Sequence, residues 1–371
     1  MKILIDYTQI PIQKVGVGIY ALNLISKIQE LDKVNKYLIL AQDDDLDILG
    51  MNNNLIKIKG CYFRHFALRF LLEQFYIPYL IIKHKINVVH SLHYSFPLIA
   101  CTKKVVTIHD LTFFKFPESH LCIKRCYFRL FIMLSSIFVD RVITDSKSTL
   151  DDFLKKFYMD KNKTSVVHLG KSDVFNSNLL SSRIDFVKQK NGINKEYFLY
   201  LGTIEPRKNI KSIILSFNEY LKINKSFQLV IAGKKGWFFN DVFDLVEGLQ
   251  LQEYVIFTGF VNEQDKPYLI SGAKIFIYLS LYEGFGIPVL EAMACGIPTI
   301  TSNISSLPEV AGDAALLVNP LSVDEIYHGI KRLLSDKELY AELKQKSIKQ
   351  ANKFSWENTA KKTIEVYNSL S

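Results

Sequence analysis

Cysteine is scarce here. The 371 residues hold five, Cys61, Cys101, Cys122, Cys126 and Cys295. The number is odd, the spacing is wide and there is no CxxC pair or Cys/His cluster, so neither a disulfide framework nor a zinc site is expected, and the thiols read as those of a reduced, cytoplasmic protein. Long apolar runs are missing as well. No window holds eighteen uncharged apolar residues, and the opening MKILIDYTQI lacks a signal peptide's apolar core and small-residue cleavage site, so no membrane-spanning segment is expected. The chain contains no Gly-x-Ser-x-Gly elbow, no P-loop and no HExxH. Neither of its glycine-rich turns has the full GxGxxG form with an acidic residue about 20 positions later, which argues against a dinucleotide oxidoreductase.

What is present is globular. Hydrophobic residues make up 49% and charged residues 22%, and the length suits two cores better than one. The net charge of +9 is unevenly spread: residues 1–180 carry 24 Lys+Arg against 16 Asp+Glu, and residues 181–371 carry 22 against 21. In the first half cations alternate with aromatics, as in CYFRHFALRF from Cys61 and KRCYFRLF from Lys124. Two readings fit this pattern: helices lying on an anionic membrane surface, or buried helices whose Lys and Arg reach out to water. No recognition motif accompanies the charge, so nucleic acid is not an expected partner.

Short β-branched runs alternate with stretches of helical period, the pattern of parallel sheets with crossover helices. Strand-like runs in the first half fall at 2–6, 37–41, 55–58, 88–90, 104–109, 141–144 and 165–168, with helical stretches at 18–30, 66–84, 123–138 and 147–157. The rhythm restarts with strands at 197–202, 228–232, 255–258, 275–278 and 299–302. The expected fold is α/β, two Rossmann-like doubly wound domains facing a cleft. Residues 1–175 form the first domain, 176–195 a polar linker and 196–352 the second domain. Residues 353–371 form a closing helix, capped by Ser355, that returns to the first domain.

The most informative segment is YEGFGIPVLEAMACGIP from Tyr282, a glycine-rich turn opening directly into a helix with Pro288 in its first turn and Gly296 at its end. A helix N-terminus of this kind is an anion site: the N–H groups of Gly286 to Val289, Pro288 excepted, would face a phosphate, and Gly284 and Gly286 let a ligand approach the backbone. Glu283 in the turn and Glu291 on the helix supply two carboxylates, which suit sugar or ribose hydroxyls. A second segment, LGTIEPRKN from Leu201, places Arg207 and Lys208 after a strand, where they could neutralise a diphosphate.

Together these segments, with TSNISSLPEVAGDAA from Thr301, resemble the retaining GT-B glycosyltransferases of glycosyltransferase family 4, bacterial mannosyltransferases in particular. The resemblance implies that Glu283 contacts donor-sugar hydroxyls and that Glu291 holds the ribose. It also implies that the backbone of Phe285, Gly286 and Ile287 meets sugar or phosphate, and that Arg207 and Lys208, after Gly202, meet the diphosphate. The family carries an arginine directly after the strand glycine, where this chain has Thr203. In the first half, VGVGIY from Val15 places Gly16 and Gly18 on the loop that the family turns toward donor phosphates or acceptor, and His109 matches a histidine near the donor sugar. QDDDLD from Gln42 has the Asp-x-Asp spacing of metal-dependent transferases but reads as a solvated loop.

The implied reaction moves a sugar from a nucleotide-diphosphate donor, GDP-mannose first and a UDP-sugar second, to a saccharide or lipid-linked acceptor. It needs no metal, no other cofactor and no side-chain general base, and its catalytic set is Glu283, His109, Arg207 and Lys208. The expected setting is surface-polysaccharide synthesis, with the enzyme peripheral on the inner face of the cytoplasmic membrane. A GT-B sugar-nucleotide hydrolase or epimerase and a non-catalytic nucleotide-sugar binding protein are the alternatives.

Overall fold

The computed structural model describes residues 1–12, 14–45, 55–60 and 65–371. Residues 46–47 of the acidic run and 61–64 of the first basic, aromatic stretch, Cys61 included, lie outside the described residues. The chain divides into two compact units, Met1–Gly170 with Ser355–Ser371, and Lys171–Phe354.

Each unit is built on one wholly parallel sheet. In the first, β1 (Lys2–Asp6), β2 (Lys36–Gln42), β3 (Leu55–Ile58), β4 (Val88–Ser91), β5 (Lys103–Ile108), β6 (Arg141–Thr144) and β7 (Thr164–Val166) lie in the order β3-β2-β1-β4-β5-β6-β7. In the second, β8 (Glu196–Leu201), β9 (Phe227–Ala232), β10 (Val255–Gly259), β11 (Ile275–Tyr278), β12 (Thr299–Ser302) and β13 (Leu316–Val318) lie in the order β10-β9-β8-β11-β12-β13. The central strands are apolar almost throughout because helices cover both faces; every residue of β4, β9, β11 and β12 is buried. Strand order reverses between β1 and β4 and again between β8 and β11. At such a switch point successive connections leave toward opposite faces, opening a crevice at the carboxyl ends of the two strands.

The closing helix, Trp356–Asn368, belongs to the first unit. Ser355 caps it by accepting from the Asn358 N–H (3.1 Å), and the buried Tyr367 hydroxyl meets His90 Nδ1 of β4 at 2.6 Å. Two elements differ from the sequence expectation. Residues 176–195 contain the helix Ser181–Lys190 within the second unit; Val187 is its only buried residue, so no apolar period announces it. The stretch 66–84 is broken into Phe66–Leu71, a π turn at Leu72–Tyr76 and Ile77–His84. Pro78, in the first turn of the last piece, has no N–H to bond the carbonyl of residue 74, and the backbone widens just before it.

Candidate active site

In the second unit the loops that follow β8 and β11 meet at the switch point. Gly202 ends β8, with its N–H on the Ala232 carbonyl (2.8 Å), and Arg207 and Lys208 sit in the short turn Pro206–Lys208. Because β8 and β11 are neighbours, this turn lies against Glu283, 75 residues further on. Lys208 Nζ donates to Glu283 Oε1 (2.5 Å) and to the Tyr278 hydroxyl (2.8 Å). Tyr278 and Ser280 hydroxyls donate to the same carboxylate oxygen at 2.9 and 2.6 Å. Arg207 Nη1 donates to Glu283 Oε2 (3.1 Å) and the Tyr282 carbonyl (2.6 Å), while Nη2 donates to Glu205 Oε1 at 2.6 Å. The cluster is nearly closed to water, the side chains of Arg207, Lys208 and Glu283 being 15%, 10% and 12% exposed.

Burial acts to raise the Glu283 pKa, but Lys208 and Arg207 outweigh it and hold the carboxyl at about 2. Burial and Arg207 pull Lys208 below its ordinary value against the opposing pull of Glu283. With its ammonium donating to two oxygens, we place the charge on the lysine. The two cations are therefore already balanced by Glu283 and Glu205. A carboxylate has about four lone-pair sites; Glu283 Oε1 takes three donors and Oε2 one, which leaves room on Oε2 for a single ligand hydroxyl.

The glycine turn leads into the helix Ile287–Ala294. Gly286 has φ +116°, and a Cβ there would lie 2.7 Å from Leu307 Cδ2, so only glycine fits. Ser305 and Ser306 brace the turn from below: Ser305 Oγ takes the Glu283 N–H (3.0 Å), and Ser306 Oγ donates to the Phe285 carbonyl (2.7 Å). The Phe285 ring packs edge-on against Phe354, so this residue offers a ligand its backbone only. Fewer amides of this turn are open than the sequence implied. The Val289 N–H already donates to the Gly286 carbonyl (3.0 Å), whereas among the described residues no acceptor takes the N–H of Gly286 or Ile287.

Glu291 contrasts with Glu283. It is 4% exposed, among the described residues no donor hydrogen-bonds its carboxylate, and Lys266 Nζ stands 4.0 Å from its Oε1. Burial raises its pKa to about 7, with Lys266 opposing and Glu263 adding to the rise.

The remaining candidates belong to the first unit. Gly16, with φ +51° and open space where a Cβ would be, ends the loop after β1 and caps the helix Val17–Leu31, on which Gly18 is buried. His109 follows β5 but presents no free ring nitrogen: Nδ1 meets Asp145 Oδ2 at 2.7 Å and Nε2 meets the Leu92 carbonyl at 2.8 Å. A carbonyl only accepts, so Nε2 carries a proton. Burial works to lower the ring pKa, but Asp145, the Leu92 carbonyl and Asp110 together raise it above its ordinary value. The ring thus braces the ends of β4, β5 and β6, with both nitrogens engaged at the position where the sequence expects a catalytic group. In the acidic run Asp43 and Asp44 are exposed, as in a solvated loop, whereas Asp45 is buried and ion-paired with Lys14.

Residues 15–171 match the model of Glycosyltransferase Family 4, and residues 183–350 that of Glycosyl transferases group 1. O-antigen chain mannosyltransferase B of Escherichia coli is 32% identical over 269 residues, 72% of this chain and 71% of that protein. The chain belongs to glycosyltransferase family 4. It is a hexosyl-transferring enzyme of GT-B fold. A serotype-specific mannosyltransferase, WbdA of Escherichia coli, is 38% identical over 193 residues, 51% of this chain but 24% of that longer protein. Anabaena HepE, solved in complex with UDP and glucose, superposes over the full length of both chains with a TM-score of 0.77 at 17% identity.

Sequence reasoning missed five residues that shape the site of this family 4 enzyme: Glu205, Tyr278, Ser280, Ser305 and Ser306. Glu205 is two positions from Arg207, a nearness in sequence that could have found it. Tyr278 and Ser280 precede Glu283 by five and three residues and bond its carboxylate from the end of β11, whereas Ser305 and Ser306 act on its turn from a loop more than 20 residues away in sequence. Thr203, standing where the family has an arginine, brings no charge; its carbonyl accepts from Tyr200 (2.9 Å).

Proposed function

We propose that the enzyme transfers mannose from GDP-mannose, with retention of configuration and without a metal ion, to a glycan or lipid-linked saccharide acceptor in surface-polysaccharide assembly. The observation that carries the donor site is Glu291, a buried carboxylate that no donor among the described residues satisfies. Leaving such a group unpaired is expensive, and a pair of ribose hydroxyls supplies the missing donors. In this reading the unclaimed amides of Gly286 and Ile287 and the helix dipole take the diphosphate, with Arg207 and Lys208 beside them stabilising the charge that develops on the leaving group. Oε2 of Glu283 takes one sugar hydroxyl. The mannosyl assignment is supported by the names of the relatives. A thermal-shift titration tests the donor: GDP-mannose at a hundred times its Kd stabilises the protein by about 2.7 kcal/mol, undiminished by EDTA, and UDP-glucose does not. Donor breakdown without acceptor would mark a hydrolase instead.

A peripheral place on the anionic inner face of the cytoplasmic membrane is part of the proposal. Among the described residues no helix is long and apolar enough to cross a membrane. Yet the segment through Ile77–His84 and the helix Cys122–Phe138 expose Phe75 (68%), Tyr79 (53%), Ile82 (74%), Ile123 (71%) and Ile137 (66%). Arg129 is tied to the Phe113 carbonyl at 2.7 Å, which leaves Lys83 and Lys124 as the better charges to remove. Binding to vesicles containing phosphatidylglycerol falls as salt rises and is at least halved in Lys83→Ala/Lys124→Ala. Binding to neutral vesicles with equal strength would refute the electrostatic part.

A further inference from the structure

Lys266 opens the helix Lys266–Ser271, which packs beside the helix of Glu291. Its side chain is only 14% exposed, unusual for a lysine. The half-exposed Glu263 holds the ammonium at 2.8 Å, and the same ammonium stands 4.0 Å from Oε1 of the buried Glu291. At 4.0 Å the contact is too long for a hydrogen bond but close enough for strong attraction in a site shielded from water. Lys266 thus supplies charge to Glu291 without occupying its lone pairs. Arg207 and Lys208 treat Glu283 in the opposite way, by filling it.

We propose that Lys266 is a positioning residue for the donor: it keeps the Glu291 carboxylate charged while leaving it free to accept the two hydroxyls of the donor ribose. This rests on the assignment of Glu291 to the ribose. The titratable groups around Glu291 are Lys266, Glu263 and, at the end of its own helix, Cys295. The buried faces of the adjoining helices Leu307–Ala311 and Lys337–Ala351 are uncharged, and the Tyr278 hydroxyl of β11 is committed to Glu283. Burial alone drives Glu291 toward its neutral form and Lys266 opposes it, so binding that needs the carboxylate weakens as pH falls through about 7. Removing the lysine moves that midpoint upward.

The test is calorimetric titration of GDP and UDP, each with its 2′,3′-dideoxy counterpart, from pH 6 to 9. Wild type, Lys266→Met, Lys266→Arg and Glu291→Gln are compared. For whichever ribonucleotide wild type binds, affinity drops about tenfold between pH 8 and pH 6. Lys266→Met is about tenfold weaker at pH 7.5 and regains wild-type affinity at pH 9, Lys266→Arg follows wild type, and the dideoxy compound is insensitive to both pH and residue 266. A Lys266→Met loss that is equal at every pH, or equal for the dideoxy compound, overturns the proposal, because the lysine then touches base or phosphate or only supports the fold. If Glu291→Gln binds the ribonucleotide like wild type, it is the ribose assignment that falls. Should Lys266→Met not fold, Lys266→Gln carries the same pH profile.

Discussion

Glu283→Ala lowers kcat/KM by about a thousandfold and also removes about 3–5 kcal/mol of stability, because Lys208 and Arg207 are left buried without their main counter-charge. The loss of stability is read from denaturant unfolding, and the loss of activity from release of the nucleoside diphosphate under donor-limited conditions. The two effects separate in the double variant Glu283→Gln/Lys208→Met. It replaces a buried ion pair by neutral groups of similar size, so most of the stability returns. Activity does not return if, as proposed, Lys208 stands beside the leaving group and Glu283 faces the sugar, because both charges are gone. A double variant with wild-type turnover would show that the cluster serves the fold and not the reaction.

Glu291→Gln behaves in the opposite sense toward stability. The folded protein holds this carboxyl at about 7 against an ordinary value of 4.5. Below pH 4.5 the group is neutral in both states. Between 4.5 and 7 the unfolded chain ionises first, so wild type loses stability as pH rises, and above 7 the full penalty of a buried charge is present. At about 1.4 kcal/mol per unit this amounts to roughly 3 kcal/mol. The glutamine variant escapes it, so its unfolding midpoint exceeds that of wild type at pH 8 and matches it near pH 4.5. Its donor affinity falls by about a hundredfold, as expected when two hydrogen bonds to a charged acceptor become bonds to a neutral one. A residue kept at such a penalty marks a site where function sets the choice. Equal pH profiles for the two proteins would remove that conclusion.

The sequence by itself determined most of the elements and the position of the glycine turn that opens the Ile287–Ala294 helix. Alternating strand and helix periods located twelve of the thirteen described strands to within about two residues; the three-residue β13 was too short to register. The glycine turn into the Ile287–Ala294 helix and the Ser355 cap were legible because each signal is contained within a turn or two of chain. Other features were decided only by tertiary structure. Strand order placed β8 beside β11, and that adjacency alone made partners of Lys208 and Glu283, which no local pattern connects. Packing turned His109 inward onto Asp145 and Leu92, consumed the Val289 amide, and set Ser305 and Ser306 under the Glu283 turn. It also stood Lys266 at 4.0 Å from Glu291. The physical reason is range. Periodicity, caps and glycine turns express energies between residues near in sequence, whereas the charge state of a buried carboxylate depends on whichever distant groups the folded sheet brings to it.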